Sequence, residues 1–212
     1  MKTKNKALLL SLCAVLLVAA SVLGTMAYLT SQDVVTNTFS VGSVTITLDE
    51  QDVDKDSNEK DNITVEGVDR DKANSYKLLP GHSYIKDPII RVDPKSEDCY
   101  LFVNVVDKIA DIEDDETVAA QMEAKGWLPV AGVENVYVYS TDKTNPAVVT
   151  AGSNVPVFEK FKIKGSVTNE ELAKYADKTI TVTAYAVQKD GFENNTAFEI
   201  WNTAFGTPTQ QG

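Results

Sequence analysis

The chain has a single histidine, His82, and two cysteines among 212 residues. A zincin needs two histidines one helical turn apart with a glutamate beside them, so that motif is excluded. A Ser-His-Asp mechanism would have to run through His82, and no nucleophile elbow accompanies it. His82 sits in the turn-forming Pro80-Gly81-His82-Ser83, where a solvated ring is expected. No glycine-rich phosphate loop is present, and no catalytic residue is assigned. Cys13 falls in the N-terminal apolar run, and Leu12 precedes it where lipid attachment wants a small residue. Cys99 is then left alone, so no intrachain disulfide can staple the rest of the chain. Its neighbours Tyr100, Leu101, Phe102 and Val103 are core-like, and it reads as a small buried apolar residue rather than a reactive thiol. Positive charge is scarce too. Lys and Arg number 20 against 31 Asp and Glu, a formal charge of −11, which argues against nucleic acid or an anionic membrane surface as partner.

Long apolar runs are absent after the first one. That run, Ala7 to Leu23, follows Lys2, Lys4 and Lys6 and is broken only by Ser11 and Ser21. Thr25-Met26-Ala27 then supplies small residues at −3 and −1 of a cleavage point, the pattern of a secretory signal peptide. An uncleaved anchor helix is the other reading, but the run is at the short limit for a span. Cleavage between Ala27 and Tyr28 is expected, leaving no stable membrane anchor. Three lysines and no acid leave with residues 1–27, so the formal charge goes from −11 to −14. The remainder suits one domain with a sizeable core.

Period-two patterns dominate that remainder. Val44, Ile46 and Leu48 alternate with Thr45, Thr47 and Asp49, and Ile90 and Val92 flank Arg91. Cys99 to Val106 is apolar on nearly both faces, as a central strand is. Val136 to Tyr139, Phe161 with Ile163, and Thr179 to Gln188 alternate again, filled with β-branched and aromatic residues. Helices are few. Thr168 and Glu171 make a capping box, with Val167 and Leu172 as its staple. Asp115 to Lys125 is a second candidate, stopped by Gly126. Phe198, Trp201 and Phe205 recur at helical spacing near the C-terminus, a core stripe. Acid pairs such as Asp114 with Asp115 and Glu170 with Glu171 fall at expected helix starts, where the dipole favours them. Many short strands divided by Gly, Pro and Asp turns imply an all-β sandwich of jelly-roll or Greek-key kind with a few short helices.

Two stretches stand apart. Asp52, Asp54 and Asp56 alternate as Ca²⁺ ligands do, but an EF-hand loop beginning at Asp52 wants glycine sixth and glutamate twelfth, and Ser57 and Ile63 stand there. A solvated acidic loop is expected, with these three as weak metal candidates and no cofactor. Residues 28–37 neither span a bilayer nor clearly belong to a core. Leu29 and Val35 share one face of an extended chain, Tyr28 and Val34 the other. The residues alone leave both a disordered tail and a strand without a home in its own domain.

The run Gly24-Thr25-Met26-Ala27-Tyr28-Leu29-Thr30, followed by Thr36-Asn37-Thr38-Phe39-Ser40-Val41-Gly42, resembles Gram-positive secreted proteins processed by a SipW-type signal peptidase, the TasA/camelysin (CalY) family. Leu79-Pro80-Gly81-His82 with Lys86-Asp87-Pro88, Ser96-Glu97-Asp98-Cys99-Tyr100, and Ala184-Tyr185-Ala186-Val187-Gln188 with Asp190-Gly191-Phe192 are similar to stretches of its members. The resemblance implies a signal peptide over 1–27, a donor-strand segment over 28–37 and a jelly-roll domain over 38–212. It implies a secreted matrix or cell-surface protein that polymerises head to tail by donor-strand complementation, with Tyr28, Leu29, Val34 and Val35 as donor side chains and accessory matrix proteins as further partners. It also brings a camelysin-like surface metalloprotease as an alternative, which a single histidine does not suit. A monomeric surface adhesion module is a third.

Overall fold

The computed structural model describes residues 6, 12–16, 42–57 and 70–206. The chain divides into two compact units, Met1–Val41 and Gly42–Gly212. In the first, the described residues are helical, and Leu12, Val15 and Leu16 are exposed. Among the described residues no helix is long and apolar enough to cross a membrane. The expected cleavage site, Ala27 and Tyr28, and the expected donor segment with Leu29, Val34 and Val35 lie outside the described residues.

The second unit is mostly β. Its strands are β1 (Ile46–Gln51), β2 (Arg70–Asp71), β3 (Ser83–Ile85), β4 (Ile89–Val92), β5 (Cys99–Asp107), β6 (Trp127–Pro129), β7 (Val136–Tyr139), β8 (Val148–Val149), β9 (Asn154–Pro156), β10 (Lys160–Lys162) and β11 (Ile180–Gln188). Its helices are α1 (Val118–Ala124), α2 (Asn169–Leu172) and α3 (Ala197–Phe205). One sheet has the order β2-β1-β4-β9 and a second the order β11-β5-β7-β6, with β8 also on β5, while β10 and β3 pair by themselves. Every pairing is antiparallel.

The sequence periodicities explain the layers. Alternate residues of β4 and β5 point to opposite faces, so Ile90, Val92, Cys99, Leu101, Val103 and Val105 enter one core with Tyr84, Trp127, Phe158, Phe161 and Ile163. The other face of β5 presents Tyr100 and Phe102 to a second cluster with Val136, Val138, Ile200 and Trp201. β5 is thus buried on both sides, as its unbroken apolar run requires. Cys99 is fully buried, and burial together with the Asp98 charge pushes its thiol up to about 11. α3 covers the outer face of the five-stranded sheet, its Trp201 ring 5.6 Å from Phe102. Burying Ile200 and Trp201 stabilises this docking by roughly 2–3 kcal/mol each.

Local chemistry sets the helix ends. Thr168 and Glu171 form the expected capping box of α2, which continues only as a 3-10 turn, Ala173–Tyr175. Thr196 and Glu199 form a second box at the start of α3. α1 begins later than its acidic run suggested. Its cap is the Thr117 hydroxyl, which accepts from Ala120 N–H at 3.1 Å. Asp114 lies outside the helix and pairs instead with Lys162 at 2.7 Å, so the dipole explanation for Asp114 and Asp115 does not apply. Glu170 and Glu171 do stand in the first turn of α2. Gly126 ends α1 at φ +91, its N–H donating to Glu123 O at 3.1 Å and its carbonyl accepting Ser140 N–H at 2.8 Å, as the stop signal required.

Candidate functional site

A sheet edge carries unpaired N–H and C=O groups and is a template for another strand unless something guards it. Three edges here are guarded. β2 has only two residues, β9 contains Pro156 and β6 ends on Pro129. β11 differs. It has nine residues, no proline and no charge, and among the described residues it pairs only with β5. In the facing sheet, Ile46 to Asp49 of β1 pair with β4, whereas β2 pairs only with Glu50 and Gln51.

The core is complete in the middle of both sheets and open where these two edges face each other. Leu101, Val103 and Ile90 are fully buried. Ile46 and Leu48 of β1 and Ile180 and Val182 of β11 point toward the same core but are only half-buried. Between them runs a groove of about 860 Å³, walled by these four residues and floored by Tyr76, Leu78, Ile109 and Phe161. The Tyr76 and Phe161 rings meet edge to face at 5.1 Å, and the Tyr76 hydroxyl donates to Ile85 O at 2.8 Å. Burial, with the charges of Glu50 and Asp87, raises the Tyr76 phenol well above its usual value, so it stays neutral. The four floor side chains are apolar or neutral, while Glu50, Lys72, Lys86, Asp177 and Lys178 also line the groove.

One wall is braced by an ion network. Arg70 pairs with Asp49 and with Asp87, and Arg91 reaches Asp49 at 3.0 Å. Burial alone would raise the Asp49 carboxyl, but the Arg91 and Arg70 guanidiniums outweigh it and hold the group below its usual range. Asp87 belongs to the Lys86-Asp87-Pro88 stretch, and its carboxylate also accepts Gln51 N–H at 2.7 Å. The motif thus fastens β1 to β2 and to the turn before β4.

Asp52, Asp54 and Asp56, the weak metal candidates, lie in a turn after β1. Val53, between Asp52 and Asp54, is buried, and its N–H donates to Asn74. Asp54 accepts from Asp56 N–H at 2.9 Å, and Ser57 N–H returns to Asp54 O. The segment expected to be a free acidic loop is a tied turn, because Val53 anchors it in the core. Among the described residues no group of three or more His, Cys, Asp or Glu could hold a metal ion. His82 is half-buried rather than solvated, with its ring 4.6 Å from Tyr84 and Nε2 3.3 Å from Asp56 O.

The arrangement can bind an extended segment. An added strand would find main-chain partners along β11 and an apolar trough for alternate side chains. Sequence reasoning found the alternation of β1 and β11 but not that they flank one gap, since that juxtaposition joins residues more than a hundred positions apart. It also passed over Glu50 and Asn74, which line the gap. Comparison with protein-family models, with curated proteins and with solved structures finds no match.

Proposed function

We propose that this protein is a secreted structural protein, the subunit of extracellular biofilm-matrix fibres. Residues 1–27 act as a signal peptide removed by a SipW-type peptidase, and residues 38–212 form a jelly-roll-like β-sandwich. Subunits join head to tail by donor-strand complementation, residues 28–37 of one copy entering the groove between β1 and β11 of the next. The observation that carries this reading is the half-buried row Ile46, Leu48, Ile180 and Val182 beside the unguarded edge of β11.

Length and pattern support the occupant. Ten extended residues reach about 33 Å, and the nine of β11 about 30 Å. A segment with Leu29 and Val35 on one face offers apolar side chains to the trough, and its polar face stays wet. Such a contact does not close on itself and so grows a filament. The resemblance to the TasA/camelysin family supports the same mode.

Sizing and electron microscopy of the mature chain and of a variant lacking residues 28–37 test the proposal. Wild type is expected to elongate, and the deletion to give folded monomers, since the strands that pair within the domain run from Ile46 onward. A peptide of residues 28–37 is expected to raise the melting temperature of the deletion variant by mass action. Filaments formed equally well without the segment would overturn the reading.

A further inference from the structure

The turn after β5 contributes Ile109 to the groove. Beneath it stand two acids, Glu113 in the interior and Asp107 half-buried. Glu113 is 1% exposed. Its Oε2 accepts Val118 N–H at 2.9 Å, at the start of α1. Its Oε1 is buried and meets no donor among the described residues. The group against it is the Asp107 carboxyl, another acceptor, which itself takes Ile109 N–H at 2.9 Å. Two carboxylates so placed repel each other, and nothing among the described donors relieves the Glu113 oxygen.

Other elements do not neutralise the pair. β11 puts uncharged Ile180 opposite Asp107. α1 contributes Val118. The 3-10 turn, Ala110–Ile112, adds a further acid, Asp111. After β10, Lys164 is a cation acting on Glu113, but its Nζ donates to Asp111 O at 2.9 Å. Lys162, the next cation along, is engaged by Asp114.

We propose that Glu113 and Asp107 share one proton and form a latch that holds the segment from Asp107 to Val118 against the groove. With the proton in place, one carboxyl donates to the other, and the turn is stapled to β11 through Lys108 N–H to Thr179 O at 3.1 Å and to the β10 region through Lys164 N–H to Ile112 O at 2.9 Å. Without it, two adjacent anions, Glu113 buried and Asp107 half-buried, push the turn open, and Ile109 loses its place in the groove floor. Burial is the main cause that raises Glu113 to about 7, and burial likewise raises Asp107. A raised pKa in the folded state contributes stability that is full below the unfolded value near 4.5 and is lost as pH rises through about 7. The latch is therefore closed in mildly acidic solution and open in alkaline solution. Its effect on strand capture rests on the reading of the groove as an acceptor; the latch itself does not.

Hydrogen exchange of the full chain between pH 5.5 and 8, corrected for the intrinsic rate, tests it beside Glu113→Gln and Asp107→Asn. In wild type the amides of Ile109, Ile112 and Val118 are expected to lose at least tenfold in protection across that range, while those of Leu101 and Val103 hold. Glu113→Gln, whose amide donates to Asp107 at every pH, is expected to show no such loss. Carboxyl carbon NMR of wild type should place a titration within about a unit of 7. An ordinary carboxylate midpoint, or equal loss in wild type and Glu113→Gln, would overturn the latch. If Glu113→Gln does not fold, Asp107→Asn and the wild-type titration decide. Peptide 28–37 is expected to bind wild type more tightly at pH 5.5 than at 8, and Glu113→Gln equally at both. No binding at either pH would count against the acceptor reading alone, since exchange reads the latch without the peptide.

Discussion

Glu50 and Lys86 meet inside the protein, with Nζ 2.5 Å from Oε2 and side chains only 6% and 11% exposed. Position 50 continues the inward series Ile46 and Leu48, so β1 places a carboxylate where an apolar residue is the usual occupant. Asn74 donates to its other oxygen at 3.0 Å. Breaking one side of such a pair leaves a buried charge. Lys86→Met is expected to destabilise by about 3–5 kcal/mol, and Glu50→Leu with Lys86→Met to recover most of it. Denaturant melts of the two single variants and the double variant give the coupling; an additive result would mean that the pair is effectively solvated.

The groove wall can be altered without entering the complete core. Val182 is half-buried on β11, so Val182→Lys can lift its ammonium to solvent and should cost the free subunit about 1 kcal/mol or less. Elongation should fall at least tenfold, because the lysine stem occupies the trough. Filament growth rates beside thermal melts check this. Unchanged growth would place the added strand elsewhere.

Gly126 cannot take a side chain. At φ +91 a Cβ would also stand 2.2 Å from Ser140 O, while Ser140 N–H donates to Gly126 O at 2.8 Å. Gly126→Ala is expected to cost roughly 2–4 kcal/mol, from left-handed strain plus displacement of the Ser140 backbone. Denaturant melts give the value, with Gly152→Ala as control, since Gly152 is left-handed but meets nothing within 4 Å.

Processing has a direct readout. Intact mass of the secreted chain is expected to match a protein beginning at Tyr28, since Thr25 and Ala27 supply the small residues a signal peptidase reads. A secreted form retaining residues 8–23 would refute the cleavage.

Acid should destabilise the wall of β1. Asp49 is held below its usual carboxylate range, so its contribution is present above the unfolded value of 3.8 and is lost as pH falls through the folded one. Asp49→Asn should flatten the acid limb of a melting-temperature profile below pH 4 and leave the limb assigned to Glu113 unchanged. A wild-type acid limb that persists in Asp49→Asn would assign it to other acids.

The strands β1, β4, β5, β7, β10 and β11, the Thr168 cap and the double burial of β5 were legible along the chain because each rests on neighbours a few positions apart. Alternation in β11, the run in β5 and the Thr168 box are local facts, and the Thr196 box, though overlooked, is written in the same code. The start of α1 was misread because an acidic run fits a helix start and a salt bridge equally well, and only the approach of Lys162 to Asp114 decides. The turn at Asp52 to Asp56 was misread because one buried valine outweighs three charges once a core exists to receive it. The open seam, the buried Glu50 with Lys86, and the pairing of Glu113 with Asp107 belong to tertiary structure alone. They depend on which faces of distant strands are brought together, and burial and desolvation, which set their energies, have no value until the chain has folded.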